Sequence, residues 1–276
     1  MAVEQNEIPQ WPVYLPLELD LEYPALLEEA LSIPRSYFVE QKTFWPGGTL
    51  ESARERFQGL LVGSEALNRE APRLYVEDGQ IQWTEGSAKL FRGMNLTCLP
   101  GEPASLHQAV HYDGEKFRRL RIEGAGQWRW REDVWFPKLK QMLERLPFSH
   151  MSVVRLNIYE DGAFVPAHLD EPNGNYRRLG YMPINIILQS GGVNMLFQAN
   201  GKTYEATSPV CAFDFSFPHG VPPVSGGRVM ICAEGLIDIP RFKAMGKWDH
   251  VIWDQSTNSF PLQNGAESHP ARRLFD

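Results

Sequence analysis

The sequence predicts a mainly β chain with flanking helices, built around a sandwich or jelly-roll core. Three observations point there. Short apolar-alternating runs crowd the stretch after Pro147, turn residues separate them at short intervals, and 21 prolines and 23 glycines supply many chain reversals. The first run, Met151–Tyr159 (MSVVRLNIY), sends Val154, Leu156 and Ile158 to one face and Arg155, Asn157 and Tyr159 to the other. Further strands are expected at Ala163–Leu169, Met182–Leu188, Asn194–Gln198, Lys202–Ala206, Val210–Phe217 and Arg228–Ala233. The punctuation between them is NGN at 173–175, SGG at 190–192, ANG at 199–201 and PPVSGG at 222–227. Helices are expected near Tyr23–Leu31, over Leu50–Leu67, and over Asp133–Leu146, where Pro137 must fall in the first turn. The tail after Leu236 carries no strong pattern and is expected to pack back on the core. The organisation that follows is a mixed α/β region at 1–147, a catalytic core at 148–237 and a C-terminal extension at 238–276, together one structural domain.

Composition narrows the function classes. A formal charge of -7 argues against a broad grip on phosphate backbones. Three widely spaced cysteines, with no CxxC, argue against a disulfide framework or a cysteine-rich zinc site. No run is long and apolar enough to span a bilayer, and the acidic start MAVEQNEIPQW does not read as a signal peptide, so a cytoplasmic setting is expected.

The chemistry concentrates in a few residues. His168 and Asp170 stand two apart in a strand pattern, so an imidazole and a carboxylate share a face. His219 follows at the end of the apolar run CAFDFSFP. Two histidines and one carboxylate on one side of a metal leave the opposite positions open, which suits Fe(II), although zinc accepts the same ligand types. Arg228 comes nine residues after His219, at the start of RVMICAE, where a guanidinium can clamp a carboxylate with two parallel hydrogen bonds.

With these residues the chain resembles the Fe(II)/2-oxoglutarate dioxygenases, whose double-stranded β-helix (a jelly-roll, cupin-like core) carries HxD…H…R. The resemblance spans about Met151 to Glu234. Asn157-x-Tyr159-x-x-Gly162 is similar to the co-substrate strand of the bacterial alkylation-repair dioxygenases. His168-Leu-Asp170-Glu-Pro172-Asn173-Gly174, with Arg177 beyond, is similar to a turn of the hypoxia-sensing prolyl hydroxylases. The resemblance implies a 2-oxoglutarate-dependent dioxygenase with Fe(II) on His168, Asp170 and His219. It implies 2-oxoglutarate on Arg228, Asn157 and Tyr159, with O2 as oxidant. The expected reaction oxidises a C–H bond, most simply by hydroxylation, and releases succinate and CO2. A small, amino-acid-like or natural-product substrate fits the compact acidic chain. Arg155, Arg177 and Arg178 are candidate substrate contacts, and Arg155 can equally serve a structural ion pair.

Three competing functions stay open: a peptidyl or protein side-chain hydroxylase, a nucleic-acid demethylase, and a metal-free jelly-roll binding protein. A second HxD at His111-Tyr112-Asp113, with His107 before it, lacks the glutamate of HExxH and any well-placed arginine, and is expected to hold no metal. The run KFRRLRIEGAGQWRWRED interleaves arginines with Trp128 and Trp130. Single-stranded nucleic acid can stack on such a surface, but strand alternation gives a quieter account, with Trp128 and Trp130 facing the core while Arg129 and Arg131 face solvent or a carboxylate.

Overall fold

A computed structural model describes residues 11–44, 88–100, 125–161, 163, 165–168, 179–190, 194–222 and 226–254. The expected helix over Leu50–Leu67 lies outside them. Among the described residues the strands are β1 (Tyr14–Pro16), β2 (Val39–Phe44), β3 (Ala88–Asn95), β4 (Thr97–Cys98), β5 (Arg129–Trp130), β6 (Phe148–Tyr159), β7 (Val165–His168), β8 (Tyr181–Ser190), β9 (Met195–Ala199), β10 (Lys202–Ala206), β11 (Val210–Phe213), β12 (His219–Val221) and β13 (Arg228–Ile237). The helices are α1 (Tyr23–Ser32), α2 (Pro137–Leu143) and α3 (Ile239–Met245).

Two antiparallel sheets form the core. The larger runs β1-β11-β8-β13-β6-β3-β2 and the smaller β10-β9-β12-β7, with β4 and β5 forming a separate pair. From β6 to β13 the chain crosses between the two sheets at every step except the β9–β10 hairpin, so that β6, β8, β11 and β13 lie in the larger sheet and β7, β9, β10 and β12 in the smaller. This is the connectivity of a double-stranded β-helix, as the sequence pattern and the resemblance led one to expect. The strands β1, β2 and β3, from the region before the core, extend the larger sheet at both edges.

Alternation along each strand separates two interiors. Val154, Leu156 and Ile158 of β6, Val229, Ile231 and Ala233 of β13, and Ile184 and Ile186 of β8 belong to one apolar cluster. The helices cover it, α1 through Leu26 and Ala30 and α2 through Leu139, Met142 and Leu143. The other face looks into the jelly roll. There Tyr181, Phe197, Phe213 and Phe215 close one region, and Tyr159, Ile187, Val221 and Met230 close a second.

Local chemistry sets the boundaries. Asn200 (φ 52°) and Gly201 (φ 68°) form the two-residue reversal between β9 and β10, since both positions of such a hairpin need positive φ. Pro137 opens α2 as expected, so the helix begins there and not at Asp133. The carboxylate of Glu29 on α1 accepts from the backbone N–H groups of Lys138 (3.1 Å) and Leu139 (2.6 Å), capping α2 from its neighbour. The expected strand over Val210–Phe217 stops at Phe213, because Asp214 accepts from Ser216 N (3.0 Å) and Oγ (2.6 Å) and turns the chain. The tail forms α3, capped by Asp238 on Arg241 N, and Ile252 bridges back to Tyr14. No helix among the described residues is long and apolar enough to cross a membrane.

Candidate metal and anion site

β12 is short, and its first residue is His219. In the β12–β7 pair His219 lies directly across from His168. Directly opposed positions of an antiparallel pair share one face of the sheet, so the backbone register brings the two sequence-predicted histidine positions together. Asp170 lies outside the described residues.

The His219 ring is held on two sides. It packs against Phe213 of the facing sheet, with ring centroids 4.9 Å apart. Its Nδ1 lies 2.8 Å from the carbonyl oxygen of Phe217. A carbonyl only accepts, so Nδ1 carries the proton and the lone pair sits on Nε2. This is the arrangement by which a backbone group fixes a metal-binding imidazole in tautomer and direction.

Arg228 occupies the first position of β13, across from Tyr159 of β6 and Ser190 of β8. It is 1% exposed, and its guanidinium lies 5.9 Å from the Tyr159 ring centroid. Burial lowers the guanidinium from 12.5 to about 10, so it remains charged at neutral pH. Burial raises the Tyr159 phenol, which stays protonated. Both groups therefore offer donors in a place largely closed to water. Asn157 follows on the same face, across from Met230.

The turn before Arg228 explains its placement. Gly226 and Gly227 both have positive φ (79° and 72°), and a Cβ on Gly227 would lie 2.6 Å from the Tyr159 carbonyl oxygen. Gly226 N donates to Asp161 Oδ1 at 2.8 Å, tying this turn to the end of β6. Val221, two residues beyond His219, belongs to the same apolar cluster as Tyr159, Met230 and Ile187. The strand carrying His219 thus faces the sheet carrying Arg228.

Arg155 has a defined partner. Its guanidinium lies 3.7 Å from Glu234 Oε1, and Glu234 Oε2 accepts from the Tyr181 hydroxyl at 3.1 Å. Sequence reasoning passed over Glu234 and Asn95. The available signal was parity, because Glu234 falls on the inward set Arg228, Met230, Cys232, Glu234, where a carboxylate is unexpected.

Arg177, Arg178, His107, His111 and Asp113 lie outside the described residues. In the RWRW segment, Arg129 Nη1 donates to the carbonyls of Gly126 (2.8 Å) and Trp128 (2.7 Å). Arg131 pairs with Asp133 and lies over Tyr37. Trp128 and Trp130 are half-buried, and Trp130 Nε1 donates to Glu144 at 3.2 Å. Together with Thr97, Phe148 and Met151 the two tryptophans line a cavity of about 380 Å³ at the end of β6 remote from Tyr159. Arg129 and Arg131 thus have protein partners, although Arg131 is tucked in against its carboxylate and not turned outward, and Arg118, Arg119 and Arg121 of the same run lie outside the described residues.

No family model and no curated protein matches the chain. Among solved structures it is similar to a Pseudomonas putida prolyl-4-hydroxylase, at 15% identity and a TM-score of 0.29 over 77% of this chain and 97% of that one. It is also similar to an oxidoreductase of the 2OG-Fe(II) oxygenase family from Burkholderia pseudomallei (11%, 0.34, 81% and 98%). A third is a Trichoplax adhaerens prolyl hydroxylase in complex with a hypoxia inducible factor peptide (12%, 0.31, 79% and 90%).

Proposed function

We propose that this chain is an Fe(II)/2-oxoglutarate-dependent oxygenase that hydroxylates a small, amino-acid-like or natural-product substrate. The observation that supports it most is the juxtaposition across the jelly-roll interior. One sheet sets His219 opposite His168, and the other sets a buried Arg228 beside Tyr159. In this reading His168, Asp170 and His219 hold the iron, and the Nδ1–H of His219, anchored on the Phe217 carbonyl, aims its Nε2 at the metal. Bound iron would supply the oxidising chemistry with O2 and 2-oxoglutarate.

The protein's own residues bind and shield. Arg228 and the Tyr159 hydroxyl donate to the distal carboxylate of 2-oxoglutarate, and Asn157 borders it. Ile187, Val221 and Met230 exclude water from this end of the interior. A buried cation with a phenol beside it favours a carboxylate far more than it would at the surface, because little solvent screens the pair.

The test is anaerobic loading with Fe(II), followed by titration with 2-oxoglutarate and reading of the visible charge-transfer band of the chelate. The parent protein binds both. His219→Ala loses the iron. Arg228→Ala keeps the iron but binds 2-oxoglutarate more weakly, by about tenfold to a hundredfold for a charge-assisted bond worth roughly 1.5–3 kcal/mol. A parent protein that takes up no Fe(II) in the presence of 2-oxoglutarate overturns the reading.

A further inference from the structure

Beyond the Arg228 end, the same inner face of the larger sheet continues into a second group of polar side chains that the co-substrate does not require. On β6 the inward residue is Arg155, across from Cys232 of β13 and Asn95 of β3. Cys232 is in turn across from Asn185 of β8, and Glu234 follows two residues later. Arg155 and Cys232 stand four positions along their strands from Tyr159 and Arg228, roughly 13 Å between backbone positions at ~3.3 Å per residue.

Two features mark this second group as a site. First, the space before it is open. The Arg155 side chain is 23% exposed and Cys232 is half-buried, although both sit on interior strands of the sheet. Their neighbours Val154, Ile231 and Ala233 are fully buried under the helices, so the exposure of Arg155 and Cys232 comes from the jelly-roll side. Second, polar atoms there lack partners. Asn95 is 4% exposed and its Oδ1 accepts no hydrogen bond, while the buried Nε of Arg155 donates none. The Arg155–Glu234 contact at 3.7 Å is itself too long for a hydrogen bond. Buried polar atoms are ordinarily satisfied, and leaving them bare is costly.

The chemistry of the group selects the ligand. One guanidinium and one carboxylate stand side by side, flanked by the amides Asn95, Asn157 and Asn185. A simple carboxylate would meet repulsion from Glu234, and a simple amine would meet it from Arg155. A phosphate-rich ligand finds only one cation. A molecule with a carboxylate and an ammonium a few ångströms apart satisfies both charges. We infer that Arg155 and Glu234 form a subsite for the zwitterionic head of a free α-amino acid, the carboxylate on Arg155 and the ammonium on Glu234, with Asn95 bordering it from the strand beyond Arg155. This rests on the oxygenase reading only for its consequence, that the amino acid is the substrate.

The experiment separates the two. Standard L-α-amino acids, their N-acetyl derivatives and their carboxamides are titrated by calorimetry into the metal-free protein, and each is then assayed for stimulated succinate release with iron and 2-oxoglutarate. At least one free amino acid binds, and capping either end weakens it by about tenfold or more, since a site built for a polar group rejects the analogue lacking it. Glu234→Gln weakens the zwitterion while narrowing its advantage over the des-amino acid, and Arg155→Met weakens every carboxylate. The comparison of capped with free ligands on the parent protein stands even if a variant fails to fold. Free amino acids binding no better than capped ones, or capped peptides binding better, overturns the subsite. Binding that follows the subsite pattern without any succinate release upholds the subsite and overturns the oxygenase reading.

Discussion

Arg228 holds its charge where water scarcely reaches, and that has a thermodynamic consequence. Burial lowers its folded-state value from 12.5 to about 10. The unfolded chain therefore holds this proton more tightly, and the charge opposes folding at every pH below 10. The penalty fades only as pH rises from 10 towards 12.5. An anion bound against Arg228 offsets the penalty, whereas an uncharged isostere removes it. Arg228→Met is accordingly expected to melt at or above the temperature of the ligand-free parent, because the variant no longer carries a charge that burial penalises. The same variant loses the rise in melting temperature that 2-oxoglutarate gives the parent. Differential scanning calorimetry at neutral pH, with and without 2-oxoglutarate, checks both halves. A ligand-free variant melting well below the parent shows that the charge itself supports the fold.

The turn into β13 carries a matching constraint at the scale of an element. Gly227 combines a φ of 72° with an approach to the Tyr159 carbonyl that leaves a Cβ 2.6 Å away. Gly227→Ala therefore adds backbone strain to a steric clash, a combination typically worth about 1–3 kcal/mol. The strand start must shift, so thermal denaturation shows a lower melting temperature and 2-oxoglutarate affinity falls in the same variant. Gly226→Ala, with open space around its Cβ, pays only the conformational part. A similar loss of affinity in both variants refutes the close-approach account. Elements of this kind differ in how far the sequence announces them. Alternation exposed β6 and β13 because each buries both faces under different chemistry, and Asn200-Gly201 announced its hairpin. The helical side of α2 was equally visible. The end of β11 was not, because Phe213, Phe215 and Phe217 keep the alternation going while Asp214 bends the backbone through its own side chain. His219 was read as the end of that strand, yet it opens β12. Its place opposite His168 depends on pairing between segments some fifty residues apart, which no local pattern encodes. Glu234 was missed for the converse reason, since local strand propensity hides a charge whose partners, Arg155 and Tyr181, lie on two other strands.

For the whole molecule, the segment before the jelly roll is part of the same core. Trp11, Leu15, Leu17, Leu26, Ala30 and Ile33 belong to one apolar cluster with Leu156, Ile184 and Ile231, and β1 pairs with β11. A chain beginning at Val39 would uncover that cluster and is expected to yield no soluble protein with a cooperative melt. Recovery of a cooperatively melting truncated chain, by circular dichroism, speaks for an independent core. The position of β13 between β6 and β8 has a further consequence, for biosynthesis. By the time Tyr159 leaves the ribosome, β6 can pair with β3 on one side only. Its other edge waits about seventy residues for Arg228 and the strand that follows. At ~5–20 residues per second that wait lasts roughly 4–15 s, far longer than a hairpin needs to form. Over that interval the nascent chain presents two long apolar-faced strands, β6 and β8, each with an open edge. Open edges of this kind invite pairing with other chains, and the strand that finally closes them also delivers Arg228 to its place.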